Sequence, residues 1–170
     1  MTDADLPSEL DRLADVRASL GALGPRIAAG EPWPLAASFG TEPEASWGSR
    51  EVLAHLAEML PFWLGELERV VDGDGSVPVP FGRIADDASR IGLIERDRSL
   101  PLRVLFDRVD GALSAWMARL PTLTATDLER IGLHPRLGEM AVGMMAGRFI
   151  LGHTEEHIAQ LESILTAAGR

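Results

Sequence analysis

The sequence predicts an all-α protein that folds as a four-helix bundle. Four stretches carry apolar residues at the three-to-four-residue spacing of an amphipathic helix, and connectors rich in Gly and Pro separate them. No stretch shows the strict alternation that predicts a strand. The 170 residues suit one domain, 1–170, that buries a single core. Four helices with connectors of unequal length are typical of a helical bundle.

The first helix is predicted over residues 8–23. Pro7 suits a helix start, and leucines recur on one face of the segment. Gly24 and Pro25 are expected to end the helix. A loose, proline-containing connector, 30–47, follows.

The second helix is predicted over residues 49–71, because an apolar stripe runs along its whole length. Gly48 can serve as N-cap, and Glu51 stands at the third helical position, which is a weak form of the capping box. Pro61 lies inside the helix and is expected to kink it. The Asp-Gly repeat at 72–75 stops it.

A long connection, 73–98, is expected between the second and third helices. Its apolar part, 77–81, contains Pro78 and Pro80, and prolines are incompatible with a central strand. The connection is therefore predicted to lie across the surface. Connections of this length in a compact domain are usually functional.

The third helix is predicted over 99–120 and ends at Pro121. Thr126 and Glu129 have the spacing of a capping box for one short turn. The fourth helix is predicted over 137–168.

Composition excludes several classes of function. The chain has 26 acidic and 16 basic residues and a formal net charge of −10, which disfavours nucleic acid and anionic membranes as partners. It has no Cys, Lys or Tyr, so thiolate ligands, a cysteine nucleophile, Schiff bases and a P-loop lysine are excluded. Chemistry is left to His, Asp, Glu, Ser, Thr, Arg and any bound metal.

The sequence indicates a cytoplasmic protein. The first ten residues are acidic and lack the apolar run of a signal peptide. The longest apolar stretch, near 140–146, is too short and too rich in Gly to cross a bilayer.

Three histidines form the strongest candidate site. His153 and His157 are four residues apart, so they project from one face of the fourth helix, and His55 lies beside the apolar stripe of the second. An HxxxH pair alone is a weak indication of metal, and a single inward His is more often a hydrogen-bonded core residue. Three imidazoles in one core would each need a partner, however, and one shared cation can be the partner of all three. Such a cation would keep an open coordination position. His134 precedes Pro135, so we expect it in a loop that packs on the start of the fourth helix.

Three segments resemble one known family. They are WGSREVLAHL at 47–56, HPRLGE at 134–139 and GHTEEHIAQL at 152–161. Their order and separation are similar to those of the DinB-like family, also called DinB/YfiT-like metalloenzymes. One departure is Gly48, where the family often has Ser, and it affects the helix cap and not the metal.

The resemblance implies an up-down-down-up four-helix bundle, often a homodimer. It also implies a divalent metal held by His55, His153 and His157. Activities in the wider family include transfer of low-molecular-weight thiols and thiol-dependent isomerisation, and many members have no assigned reaction.

Three functions remain open from the sequence. The first is an enzyme that transfers a low-molecular-weight thiol to a small electrophile, with the thiol arriving as a cofactor because the chain has no Cys. The second is a metal-dependent hydrolase, and the third is a non-enzymatic metal-binding stress protein. A fourth protein ligand on the metal would favour the third function. Zinc or nickel is the expected metal, and three imidazoles also accept iron(II) or manganese.

Four charged residues are further candidates. Glu58 and Glu156 lie one turn from metal-binding histidines and could orient them or shuttle protons, although both are more commonly solvated residues of a helix face. Arg83 and Arg90 could clamp an anionic thiol cofactor, although surface salt bridges are the commoner use. We also expect a homodimer, because a mean hydropathy of +0.06 is slightly apolar for a small monomer.

Overall fold

The computed structural model describes residues 6–36 and 44–169. Within this part of the chain the α-helices are α1 (Leu6–Ala29), α2 (Ser49–Val71), α3 (Ala88–Asp97), α4 (Leu102–Arg119), α5 (Ala125–Glu129), α6 (Val142–Met145) and α7 (Gly152–Ala167). The strands are β1 (Val79–Pro80), β2 (Ile131–His134) and β3 (Gly138–Ala141). Single 3₁₀ turns span Glu44–Ser46 and Leu120–Thr122, and a π-helical turn, Ala146–Leu151, joins α6 to α7. The predicted acidic N-terminus at 1–5 and the middle of the predicted connector, 37–43, lie outside the described residues.

The four-helix bundle predicted from the sequence is confirmed. Helix α2 packs against α4 and α7, and α1 packs against α4 and α7 on the other side of the core. The first half of α2 is buried on nearly all its faces. Trp116 of α4 is 1% exposed, and its indole Nε1 donates a hydrogen bond to the Leu60 carbonyl (2.9 Å). Helix α2 is therefore the centre of the molecule, and His55 lies within its buried half.

The sequence predicted the ends of α2 correctly and the end of α1 incorrectly. Helix α2 spans the predicted residues, with Gly48 as N-cap and the Glu51 carboxylate accepting from the Gly48 amide. The predicted end of α1 at Gly24 and Pro25 is wrong, because the helix continues to Ala29. Burial of Ile27 at 0% exposure offsets the hydrogen bond that Pro25 removes.

The connection between α2 and α4 is more ordered than the sequence predicted. The predicted long connection over 73–98 is present, and it contains β1 and α3, which the sequence did not predict. Asp87 caps α3 by accepting a hydrogen bond from the Arg90 amide (3.0 Å), and Ile94 anchors the helix in the core. Strand β1 tolerates Pro80 because it lies at an edge of its sheet.

The expectation that the chain has no strands is also wrong. Strands β1 and β2 pair in parallel, and β2 and β3 pair antiparallel, with Ile131 opposite Ala141 and His134 opposite Gly138. The three strands are two to four residues long, too short for a clear alternation in the sequence.

This small sheet corrects three further predictions. The last helix begins at Val142 and not at 137, because residues 138–141 form β3. The capping box of α5 is formed by Thr124 and Asp127 and not by the predicted Thr126 and Glu129, so it begins one residue before the helix. His134 is the buried last residue of β2 and does not lie in a loop.

No helix in the described ranges is both long enough and apolar enough to cross a membrane.

Candidate metal centre

The structure brings the three predicted histidines together. His55 lies on α2, and His153 and His157 lie one turn apart on α7. The Nε2 atom of His153 is 3.0 Å from Nε2 of His55 and 3.2 Å from Nε2 of His157. All three rings therefore aim the same nitrogen at one point between the two helices.

Glu44 is a fourth candidate that the sequence analysis missed. Its Oε2 atom lies 3.7 Å from Nε2 of His157 and 3.9 Å from Nε2 of His153. The candidate ligand atoms of Glu44 and the three histidines all lie within 4.8 Å of one another. Glu44 belongs to a 3₁₀ turn in an irregular connector, where no helical spacing indicates the direction of a side chain.

Hydrogen bonds fix the orientation of the His157 ring. The Gln160 amide donates through Nε2 to the Glu44 carbonyl (2.9 Å), so its Oε1 faces Nδ1 of His157 (2.9 Å). An amide oxygen only accepts, so Nδ1 of His157 carries the hydrogen and Nε2 presents its lone pair to the other histidines. This is the tautomer that a metal ligand requires.

The arrangement fits a divalent cation. Two nitrogens that are each about 2.0–2.1 Å from one ion lie about 2.9–3.4 Å apart, for angles between octahedral and tetrahedral values. The observed Nε2 distances of 3.0 and 3.2 Å fall in this range. The donors also fit, because three imidazole nitrogens and a nearby carboxylate oxygen are ligands that zinc and nickel accept. Nδ1 of His55, on the opposite side of the ring from Nε2, is buried and has no hydrogen-bond partner within residues 6–36 and 44–169.

The surroundings keep two of the rings neutral. Burial lowers the pKa of His55 well below its usual value, and the nearby charges of His157 and Arg90 lower it further. Burial likewise lowers the pKa of His157, with a contribution from His153. Neutral imidazoles have free lone pairs at pH 7, which is the state that binds a cation.

Gln160 also links α7 to the turn that carries Glu44. Replacing Gln160 with Ala frees the His157 ring and the Glu44 carbonyl, so we expect metal affinity to fall about 10–100-fold. Competition with a chromophoric chelator measures the change. Glu162→Ala, on the exposed side of the same helix, is the matched control and should keep wild-type affinity. Equal affinity in Gln160→Ala and wild type would contradict this role for Gln160.

A cavity of about 450 Å³ opens beside the histidines. Its walls combine basic side chains with apolar and aromatic ones, among them Arg83, Arg90, Trp63 and Phe149. His55 and His153 contribute to its surface, so a small molecule in the cavity would reach the metal centre.

The two predicted acid–base candidates lie in different surroundings. Glu58 is buried, and Nη2 of Arg83 donates to both of its carboxylate oxygens (2.5 and 2.6 Å). Burial raises the pKa of Glu58, and the hydrogen bonds from Arg83 oppose that rise. The Glu156 side chain is 79% exposed at the cavity wall, and its Oε2 lies 3.7 Å from Nδ1 of His153.

The two predicted arginines form buried ion pairs and not surface ones. Arg83 pairs with Glu58, and its guanidinium lies over the Phe62 ring, 3.8 Å from the centroid. Arg90 pairs with Glu44 and donates to the Ala85 carbonyl (2.7 Å). Both line the cavity, and their role as a clamp for a thiol stays a prediction.

His134 is separate from the metal centre. Its Nδ1 accepts hydrogen bonds from the amides of Arg136 and Leu137 (3.2 Å each). Its ring stacks on Phe149, with 5.6 Å between the centroids. Burial lowers the pKa of His134. It therefore supports the aromatic wall of the cavity and does not belong to the ligand set.

Comparison with known proteins gives similarities of three kinds. A family model described as the DinB superfamily matches residues 27–161. A protein of Oceanobacillus iheyensis, whose name suggests a metal-dependent hydrolase, is 25% identical over 118 residues. That match covers 69% of this chain and 64% of the relative, so the chain spans less than two thirds of the relative's length. The structure of YfiT from Bacillus subtilis, described as a probable metal-dependent hydrolase with an unusual four-helix bundle topology, is similar with a TM-score of 0.76. The similar region covers 99% of this chain and 90% of the YfiT chain. At 16% identity, this similarity establishes the fold.

Proposed function

This chain belongs to the DinB superfamily, and from that membership we propose that it is a metal-dependent enzyme acting on a small molecule. His55, His153 and His157 would hold one divalent cation, with zinc or nickel as the expected metal. A cation held there supplies Lewis acidity and lowers the pKa of a water or thiol that it binds. The convergence of three Nε2 atoms at the wall of an open cavity supports this proposal.

Hydrolysis is the reaction that the geometry supports best. The observation that carries it is the Glu44 carboxylate, whose Oε2 lies 3.7 Å from Nε2 of His157. Arg90 is buried and ion-paired with Glu44, which weakens the carboxylate as a metal ligand but leaves an oxygen free to accept a proton. In ester or amide hydrolysis, Glu44 would take a proton from the attacking water and return it to the leaving oxygen or nitrogen. The names of the relatives support the same reaction class.

Thiol transfer is the second candidate. The cavity volume of about 450 Å³ has room for a small thiol beside a small electrophile, and its basic wall suits an anionic thiol. The chain has no Cys that would compete with a diffusible thiol. A thiol needs less help from a general base than water does, because its pKa starts near 8.5 and a cation lowers it further.

Glu44→Gln separates the two reactions. The protein, loaded with zinc or nickel, is assayed with a panel of esters and amides, and separately with a thiol-reactive electrophile plus bacillithiol, mycothiol or glutathione. For a hydrolase, we expect Glu44→Gln to keep its metal and lose about 10²–10⁴-fold in rate. For a thiol transferase, the variant should keep most of its rate.

Two results would contradict the proposal, one for the three-histidine site and one for enzymatic activity. His55→Ala should return either reaction to background, and full activity in that variant would exclude the site. Loss of metal from Glu44→Gln would make Glu44 a fourth ligand. Combined with no turnover in either assay, that result would favour the non-enzymatic metal-binding protein.

A further inference from the structure

Three arginines line the cavity of a protein whose net charge is −10. Two of them are neutralised within the fold, because Arg83 is paired with Glu58 and Arg90 with Glu44. The third, Arg148, is exposed to solvent and makes no hydrogen bond or ion pair with the described part of the chain. Arg148 is therefore the arginine of this cavity that no carboxylate in the described part of the chain pairs with directly.

The π-helical turn places Arg148 at the cavity. Its hydrogen bond runs from the Gly152 amide to the Gly147 carbonyl, five residues back. Where the chain passes through this turn, residues five apart come close to the same face of the helix. Arg148 and His153 are five apart, and both line the cavity. In an uninterrupted α-helix the same two residues would point about 140° apart. The turn thus aligns a guanidinium group with a metal-site histidine on one wall of the cavity.

The residue after Arg148 gives this wall a flat apolar surface. Phe149 stacks on Trp63 with 4.0 Å between the centroids and 6° between the ring planes, and both rings line the cavity. The His134 ring lies beside both, with its centroid 5.6 Å from that of Phe149 and 6.3 Å from that of Trp63. A planar or apolar group can pack here between the exposed guanidinium and the histidines.

We propose that the cavity binds a small carboxylate, which pairs with Arg148 while its apolar part lies against Trp63 and Phe149. The reactive group of such a molecule would face His55 and His153. That this carboxylate is the substrate rests on the function proposed above. A planar guanidinium matches a carboxylate with two parallel hydrogen bonds. One unpaired guanidinium balances one negative charge. The carboxylates of Glu44 and Glu156 at the same cavity, and the negative charge of the whole protein, disfavour a doubly charged phosphate.

The test compares a carboxylate with its neutral amide of the same shape. Benzoate and benzamide are titrated into zinc-loaded wild-type protein, and butyrate and butyramide form an aliphatic pair, with binding followed by saturation-transfer NMR. We expect the carboxylate of at least one pair to bind about tenfold more tightly than its amide. Arg148→Gln should remove that preference. Arg103→Gln, an 83% exposed arginine on α4 away from the cavity, should keep it.

Repeating the titrations after chelation separates recognition by Arg148 from coordination by the ion. A preference that persists without zinc and disappears in Arg148→Gln supports the inference. A preference that is lost with zinc belongs to the ion and overturns it, as does an unchanged preference in Arg148→Gln. Failure of the proposed function would be seen independently, as absence of metal or of turnover, and would leave this binding measurement intact.

Discussion

Replacing His153 or His157 with Ala is expected to lower the bound divalent metal from about one ion per chain to a small fraction of that value. Each substitution removes one of three candidate imidazole ligands, and Nε2 of His153 lies 3.0 Å from Nε2 of His55 and 3.2 Å from Nε2 of His157. The two remaining nitrogens form a weak site. Metal content of the purified variants, measured by inductively coupled plasma mass spectrometry, checks the prediction.

His134→Ala is the control for both variants. His134 is also a buried histidine, but it lies outside the group of candidate ligands. This variant should keep about one metal ion per chain and lose about 1–3 kcal/mol of unfolding free energy, because the amides of Arg136 and Leu137 lose their acceptor. Wild-type metal content in His153→Ala or His157→Ala would show that the proposed site is wrong.

Gly82→Ala is expected to lower the free energy of unfolding by about 2–4 kcal/mol. Gly82 has φ of +78°, a conformation that a residue with a Cβ adopts at a cost. An added Cβ would also lie 2.5 Å from Cδ2 of His134 and 3.3 Å from the Trp63 ring. The backbone cannot move away easily, because the Gly82 amide donates to the buried Glu66 carboxylate (2.5 Å). Urea denaturation of the variant and of wild type measures the loss.

Gly21→Ala is the matched control for Gly82→Ala. Gly21 lies inside α1 with no heavy atom within 4 Å of an added Cβ, apart from those of its own helix backbone and its chain neighbours. Alanine is the better helix former, so this variant should gain about 0.5–1 kcal/mol. Equal stability changes in the two variants would show that the predicted clash at Gly82 does not exist.

Helical periodicity accounts for what the sequence predicted well. Helix α2 has apolar residues along its whole length, and its predicted ends at 49 and 71 agree with the structure. The same spacing predicted that His153 and His157 share a face, and His55 indeed lies close to both of them. Local patterns are reliable here because the helices are long and each has one buried side.

Features that depend on distant contacts were not predictable in this way. Helix α1 continues past Pro25 because Ile27 packs in the core. In β2, the Phe81 ring leaves no room for a side chain at Gly132. The position of Glu44 depends on Arg90, which pairs with its carboxylate, and on Gln160, which donates to its backbone carbonyl from far away in the sequence. None of these contacts leaves a repeat in the sequence. The homodimer, the cytoplasmic location and the absence of nucleic-acid binding stay predictions.

The candidate metal centre also has a consequence for how the protein is made. Its histidines are supplied by α2 and α7, and 98 residues separate His55 from His153 along the chain. During synthesis, a chain that has not yet reached α7 carries only one of the three candidate imidazole ligands, so it has no site of this kind. A cation that binds afterwards stabilises only chains in which the last helix has docked on the second. Acquisition of metal by a newly made chain would therefore mark the moment at which the bundle closes.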